Sequence, residues 1–261
     1  MCQRNFLIIM SLLTIILPLT FQTSFALEKS DITVHADYNG DGKAEKAIWR
    51  PSNGTWYIFS NKQLQIVQWG ANGDIPIPAD YDGDGADEIC VWRPSNGNWY
   101  ISLANRSWSQ KGSDYKVEQW GTRGDIPVPA DYDGDDADEI CVWRPSNGNW
   151  YISLANRSWQ NKGNDYQVEQ WGTNGDIPIP ADYDGDGADE ICVWRPSNGN
   201  WYISLANRSW SNRGKEFQVV KWGNYSFTPV PADYKGDGIT DIAIMLYTTG
   251  KWYIYGNILM P

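Results

Sequence analysis

Asp80-Tyr81-Asp82-Gly83-Asp84-Gly85-Ala86-Asp87-Glu88 reads DYDGDGADE, and the same nine residues return at 182–190. A close variant, DYDGDDADE, occupies 131–139, and looser ones, DYNGDGKAE and DYKGDGITD, occupy 37–45 and 233–241. The leading aspartates are 43, 51, 51 and 51 residues apart. Such a period marks an array of one supersecondary unit copied five times, not a single irregular domain.

Carboxylates at loop positions 1, 3, 5 and 9, with glycines between them, suit a hard divalent cation. Calcium takes six to eight oxygens, and glycine lets a short loop fold back far enough to deliver several. The candidate ligands are therefore Asp80, Asp82, Asp84 and Glu88; Asp131, Asp133, Asp135 and Glu139; and Asp182, Asp184, Asp186 and Glu190. The carbonyl at position 7 is expected to join each shell. Unit one offers Asp37, Asn39, Asp41 and Glu45, where Asn39 keeps an oxygen but loses a charge and should weaken binding. Unit three has Asp136 at a position that is glycine in the other loops, which should strain the turn. Unit five puts Lys235 at position 3, so its ammonium is expected to neutralise Asp233, Asp237 and Asp241 in place of an ion. About three to four calcium sites are expected.

One unit can be read strand by strand. In 126–130, Ile-Pro-Val-Pro-Ala, Pro127 and Pro129 remove N–H donors from one side only, which predicts a strand at a sheet edge, the innermost strand of a blade. The acidic loop follows, then Glu139-Ile140-Cys141-Val142-Trp143 as a second strand. Pro145 to Asn149 makes a turn whose Asn-Gly pair should supply positive φ angles. Trp150 to Leu154 gives a third strand and Tyr166 to Trp171 a fourth. Four antiparallel strands in about 50 residues make a propeller blade, and no segment after the N-terminal apolar run has a helical period. The fold class is all-β: a β-propeller of five blades with units near 31–73, 74–124, 125–175, 176–226 and 227–261. Unit five has only 257–261 left for a fourth strand, so its last blade is expected to keep three strands, to pair imperfectly with the N-terminal segment, or to be completed by a partner.

The sequence GDIPVPADYDGD, a strand, a WRPSNG turn and WYISL together resemble the bacterial FG-GAP/VCBS-type repeats, over nearly all of 31–261. The repeats are also similar to the calcium-loop blades of the integrin α-subunit propeller. The resemblance implies a secreted calcium-binding propeller in adhesion, ligand binding or an accessory role, and no particular ligand.

Residues 1–26 contain Arg4, an apolar run from Phe6 to about Leu19 and Ser24-Phe25-Ala26, and read as a signal peptide. The run is shorter than the ~20 residues a bilayer span requires. Secretion to the extracellular space or periplasm is the expected localisation, with 27–261 as the propeller. Formal charge is −11, and 22 of the 32 acidic residues lie in the five loops, so the acidity is site charge. Such a surface repels nucleic acid and anionic lipid. Cys90, Cys141 and Cys192 hold equivalent positions in separate units, too far apart to bridge, and are expected to be small buried residues.

The 16 tryptophans all fall at repeated positions, which suits packing between blades. Two functional readings stand side by side: an adhesion or ligand-binding module with structural calcium, whose partner is an extracellular protein or glycan, and a multivalent lectin using repeated Trp-rich sites between blades. Arg123-Gly124-Asp125 spells an integrin-ligand tripeptide, but Asn72 and Asn174 take the arginine's place in neighbouring units, so it reads as chance. The sequons at Asn105, Asn156 and Asn207 are read as unmodified. His35 is the only histidine, so no histidine triad or repeated zinc site can be assembled, and no enzymatic activity is expected.

Overall fold

The computed structural model describes residues 26–103, 114–154, 165–205 and 216–256, and these contain strands and no helix. Unit one forms β1 (Ile32–Thr33), β2 (Lys46–Arg50), β3 (Thr55–Ser60) and β4 (Gln63–Gln68). Unit two forms β5 (Ile75–Pro76), β6 (Cys90–Arg93), β7 (Asn98–Ser102) and β8 (Tyr115–Gln119), and unit three β9 (Ile126–Pro127), β10 (Cys141–Arg144), β11 (Asn149–Ser153) and β12 (Tyr166–Gln170). Unit four forms β13 (Ile177–Pro178), β14 (Cys192–Arg195), β15 (Asn200–Ser204) and β16 (Phe217–Lys221); unit five, β17 (Phe227–Pro229), β18 (Ala243–Leu246) and β19 (Lys251–Ile254). Each unit is one antiparallel sheet in sequential order, with four strands in units one to four and three in unit five. The chain is a five-bladed β-propeller. The segment 257–261 lies outside the described residues, as do residues 1–25, which make up nearly all of the segment 1–26 read above as a signal peptide.

The proline pattern works as its spacing predicts. Val128 donates its N–H inward to the Cys141 carbonyl at 2.9 Å, and Ile77 and Ile179 do the same toward Cys90 and Cys192, each at 2.8 Å. Alternation turns the nitrogens of Pro127 and Pro129 away from β10, on the side where no strand pairs.

The second-to-third-strand turn differs from the expected pair of positive φ angles. Arg144 pairs with Asn149 across a four-residue loop, Gly148 alone has positive φ (72°), and its N–H returns to the Arg144 carbonyl at 2.8 Å. Asn147 contributes its side chain, whose Oδ1 accepts the Asn149 N–H at 2.9 Å. Among the described residues, a two-residue turn with both φ positive occurs once, at Asn61 and Lys62 between β3 and β4, where unit one is eight residues shorter than its neighbours.

Indoles fill the blades and tie each to the next. Trp49 and Trp56 both donate Nε1–H to the Trp69 carbonyl, and Trp69 donates to the Tyr100 carbonyl of unit two at 2.9 Å. The relay repeats through Trp120 to Tyr151, Trp171 to Tyr202 and Trp222 to Tyr253. Four buried clusters each join one unit to its successor, as where Ile140 and Val142 pack onto Tyr81, Trp92 and Trp99. Cys90, Cys141 and Cys192 are buried and unbridged within these cores.

Candidate metal centres

In each acidic loop the position-1 aspartate is the hub around which the backbone closes. Asp80 Oδ1 accepts the N–H groups of Gly83 (2.7 Å) and Asp84 (3.1 Å), and Oδ2 accepts that of Gly85 (2.8 Å). Asp37, Asp131 and Asp233 are wrapped in the same way. At the loop's far end Ala79 and Glu88 form an antiparallel bridge, which brings position 9 back beside position 1. Glu88, Glu139 and Glu190 each accept the N–H of the position-2 tyrosine through Oε2.

This closure gathers four acid triplets whose nearest oxygens lie within 4.8 Å of one another: Asp80, Asp82 and Glu88; Asp131, Asp133 and Glu139; Asp182, Asp184 and Glu190; and Asp37, Asp41 and Glu45. Asp84, Asp135 and Asp186, at position 5, fall outside these groups. One oxygen of each accepts the N–H two residues on, at Ala86, Ala137 and Ala188. Asn39 directs its amide at Glu45 Oε1 and at Ser60 Oγ, 3.0 Å away, so it acts there as a donor. Lys235 ion-pairs with Asp241 in unit five and makes the internal neutralisation that its charge suggests.

The triplets are costly arrangements of charge. Glu139 is buried, and desolvation together with Asp133 and Asp131 pushes its carboxyl up to about 9. Glu190 is pushed up to about 8 by burial and by Asp184 and Asp182. Burial also raises Asp80, Asp131, Asp184 and Glu45. Glu190 Oε1 and Glu45 Oε2 are buried without a hydrogen-bond partner. Native folds rarely leave buried polar atoms so. Oxygen-only donors, several carboxylates and orphaned buried oxygens form a set suited to a hard divalent cation. The triplets could each hold a metal ion.

A second carboxylate row joins successive loops. Asp138 at position 8 accepts the Asp80 N–H, and Asp189 and Asp87 accept those of Asp131 and Asp37. Sequence reasoning assigned these residues no role. Their signal was present, since position 8 is acidic only in the three central units and is Ala44 and Thr240 at the ends.

A further repeated constellation also escaped that reading. Arg93, Arg144 and Arg195 make two-pronged contacts with Asp74, Asp125 and Asp176, and each guanidinium lies 4.4–4.5 Å from the ring centre of Tyr100, Tyr151 or Tyr202. Asp125 is thus buried and engaged, and the Arg123-Gly124-Asp125 tripeptide does not present its carboxylate. Thr122, Arg123, Arg144, Ser146 and Asn174 line a polar recess of about 490 Å³ above this ion pair.

The tryptophans on which the lectin expectation rests divide by burial: Trp69, Trp120, Trp171 and Trp222, at the blade boundaries, are half-buried and Trp252 is exposed. Trp49, Trp56, Trp92, Trp99, Trp143, Trp150, Trp194 and Trp201 are fully buried, so their faces pack against protein. Trp108, Trp159 and Trp210, like the sequons at Asn105, Asn156 and Asn207, lie outside the described residues.

The sequence matches the FG-GAP-like repeat family over residues 80–142 and 182–244. No match was found among curated proteins. Among solved structures, a lectin of Agrocybe aegerita, described as specifically recognising non-reducing terminal N-acetylglucosamine, aligns with 15% identity over 83% of this chain and 74% of its own, with a TM-score of 0.48.

Proposed function

Taking as premise that the chain is a β-propeller of FG-GAP-like repeats, we propose that it is a secreted, non-catalytic calcium-binding module for adhesion or ligand binding. Calcium serves the fold in this reading: each ion ties position 1 of a loop to position 9 and so anchors the edge strand of a blade to its second strand. The observation that carries the proposal is Glu190, whose Oε1 is buried and unpartnered beside Asp182 and Asp184. A divalent cation supplies the counter-charge and the missing contact in one step.

The recess at Arg123, Arg144 and Asn174 supports the binding half of the reading, since its lining offers donors and acceptors to a protein or glycan ligand. Calorimetric titration of the chelated protein with calcium tests the metal half. Three or four equivalents, with a rise in melting temperature, are expected; no binding heat and an unchanged melting temperature would overturn it.

A further inference from the structure

In the Arg123-Gly124-Asp125 tripeptide the aspartate is committed and the arginine is free. Asp125 is buried in its two-pronged pairing with Arg144, whereas Arg123 is exposed and makes no hydrogen bond or ion pair among the described residues. Units two and four carry Asn72 and Asn174 at this position, so the charge distinguishes the recess of unit three from theirs. Of the residues lining that recess, Asp125, Arg144 and Arg123 are charged, and together they leave one positive charge in it. The acidic loop enters β10 near Cys141 and the recess sits beyond the strand's other end, at Arg144, so the loop carboxylates lie at the far end of the blade.

The floor of the recess is fixed and its rim is not. Arg144 donates to both Asp125 oxygens at 2.7 and 2.8 Å, to Thr122 Oγ1 at 3.2 Å and to Tyr151 Oη at 3.1 Å, so its guanidinium is held in place. At the rim, the Arg123 guanidinium, the Ser146 hydroxyl and the Asn174 amide make no side-chain hydrogen bond among the described residues. A guanidinium matches a planar carboxylate with two parallel N–H groups. The hydroxyl and the amide each offer both a donor and an acceptor, which is what sugar hydroxyls require. Pro145 is the one apolar ring in the lining, and β10, which contributes Arg144, is a central strand with no free edge for a peptide backbone. A volume of about 490 Å³ is that of a small-molecule site.

We propose, resting on the binding half of the function given above and deepening it, that this recess binds a carboxylated sugar, a uronic acid unit of an acidic glycan. Arg123 takes the carboxylate, and Ser146 and Asn174 take ring hydroxyls. Because Asn72 and Asn174 replace the arginine in units two and four, the molecule carries one such site and not a repeated set. The Arg144–Asp125 pair orients the lining and leaves the ligand's charge to Arg123.

Ligand titration followed by NMR, with methyl glucuronide as the probe, tests this. Methyl glucuronide should saturate a single site. Methyl glucoside, which keeps the ring and lacks the carboxylate, and glutarate, which keeps carboxylates and lacks the ring, should each bind roughly tenfold more weakly or worse, the equivalent of about 1.4 kcal/mol. Arg123→Gln should weaken methyl glucuronide by a similar factor, and Asn174→Asp should weaken it further by setting a like charge beside the carboxylate. Asn72→Asp, the same position in unit two, should leave the affinity unchanged. Both rim side chains are exposed and bonded to nothing described, so the variants should melt as wild type does. A wild-type chain that ignores methyl glucuronide, glucoside or glutarate binding as tightly, or full affinity in Arg123→Gln would overturn the proposal. Calcium stoichiometry, measured on the same samples, should be equal in wild type and Arg123→Gln. Calcium uptake without glucuronide binding would therefore remove this inference alone, and glucuronide binding without calcium uptake would remove the metal reading alone.

Discussion

Asp138 and Asp80 exchange two hydrogen bonds across a blade boundary: the Asp80 N–H donates to the Asp138 carboxylate at 2.9 Å, and the Asp138 N–H donates to the Asp80 carbonyl at 2.7 Å. Asp189 and Asp131 repeat the exchange, at 3.1 and 2.7 Å. The residue after this clasp is Glu139 and its partner is Asp80, so each clasp couples two acid triplets through the backbone. Successive blades are thereby held at their loops as well as through their aromatic cores.

Replacing Asp138 with Ala leaves the half-buried Asp80 N–H without its carboxylate partner, and is expected to cost about 1–3 kcal/mol of stability. Asp138→Asn keeps an acceptor, and burial together with Asp189 already holds the Asp138 carboxyl well above the ordinary range. The Asn variant should therefore melt well above the Ala variant. Urea denaturation of both measures the difference, and equal losses would show that the clasp contributes little.

Without bound metal, the protein should lose stability as pH rises. The carboxyls of Glu139 and Glu190 lie at about 9 and about 8 in the fold, against an ordinary value of 4.5. Between those limits the folded chain holds more protons than the unfolded one, so their contribution is fully present below about pH 4.5 and is lost progressively toward pH 8–9. Melting temperature in chelator should fall from pH 5 to pH 9. Saturating calcium should remove or reverse that slope, because the bound ion favours the ionised carboxylates.

Glu190→Gln separates the two roles of that residue. An uncharged amide relieves the cost of a buried charge, so the chelated variant should melt at or above wild type near pH 8. The calcium titration should lose one equivalent or show one site markedly weakened. Lower stability in chelator together with unchanged calcium binding would assign Glu190 to packing alone.

Much of this was legible in the sequence because it repeats. Prolines at alternate positions identify an edge strand by removing donors, and the structure places them on the unpaired side. Lys235 pairs with Asp241 as opposite charge on adjacent groups dictates. What stayed hidden depends on side-chain direction within a loop. Asp82 and Asp84 are both aspartates two residues apart, and spacing alone does not reveal that one joins the triplet while the other turns to the Ala86 N–H. The Arg–Asp pairs were visible only as substitutions made together: Asp176 and Arg195 become Phe227 and Leu246 in unit five, which sit opposite each other as an apolar pair.

Asp136 carries a backbone cost that its counterparts avoid. Its φ is +68°, in the left-handed region, where Gly42, Gly85, Gly187 and Gly238 sit at +82° to +86°. Aspartate tolerates that region better than most residues but still pays a penalty of up to about 1 kcal/mol. Asp136→Gly is expected to raise the melting temperature by roughly 2–4 °C, and Gly187→Asp to lower it by a similar amount. Calorimetric scans in chelator isolate this effect from metal binding.

Unit five tests whether the triplet alone makes the site. Its loop closes around Asp233 as the others close around Asp80, with Gly236, Asp237 and Gly238 donating at 2.7, 3.1 and 2.9 Å, so the backbone is already in place. Two side chains differ: Lys235 supplies a cation at position 3, and Asp241 is one methylene shorter than the glutamate at position 9 elsewhere. Lys235→Asp combined with Asp241→Glu restores positions 1, 3 and 9 together. The double variant should bind one more calcium equivalent than wild type and should lose stability in chelator, where three carboxylates face one another without a counter-charge. Lys235→Ala should destabilise the chelated protein without adding a site, because it removes the ammonium from Asp241 and supplies no ligand. An unchanged stoichiometry in the double variant would show that the site needs more than its acid triplet, and position 5, with its carboxylate turned onto the loop backbone in units two to four, would be the next residue to examine.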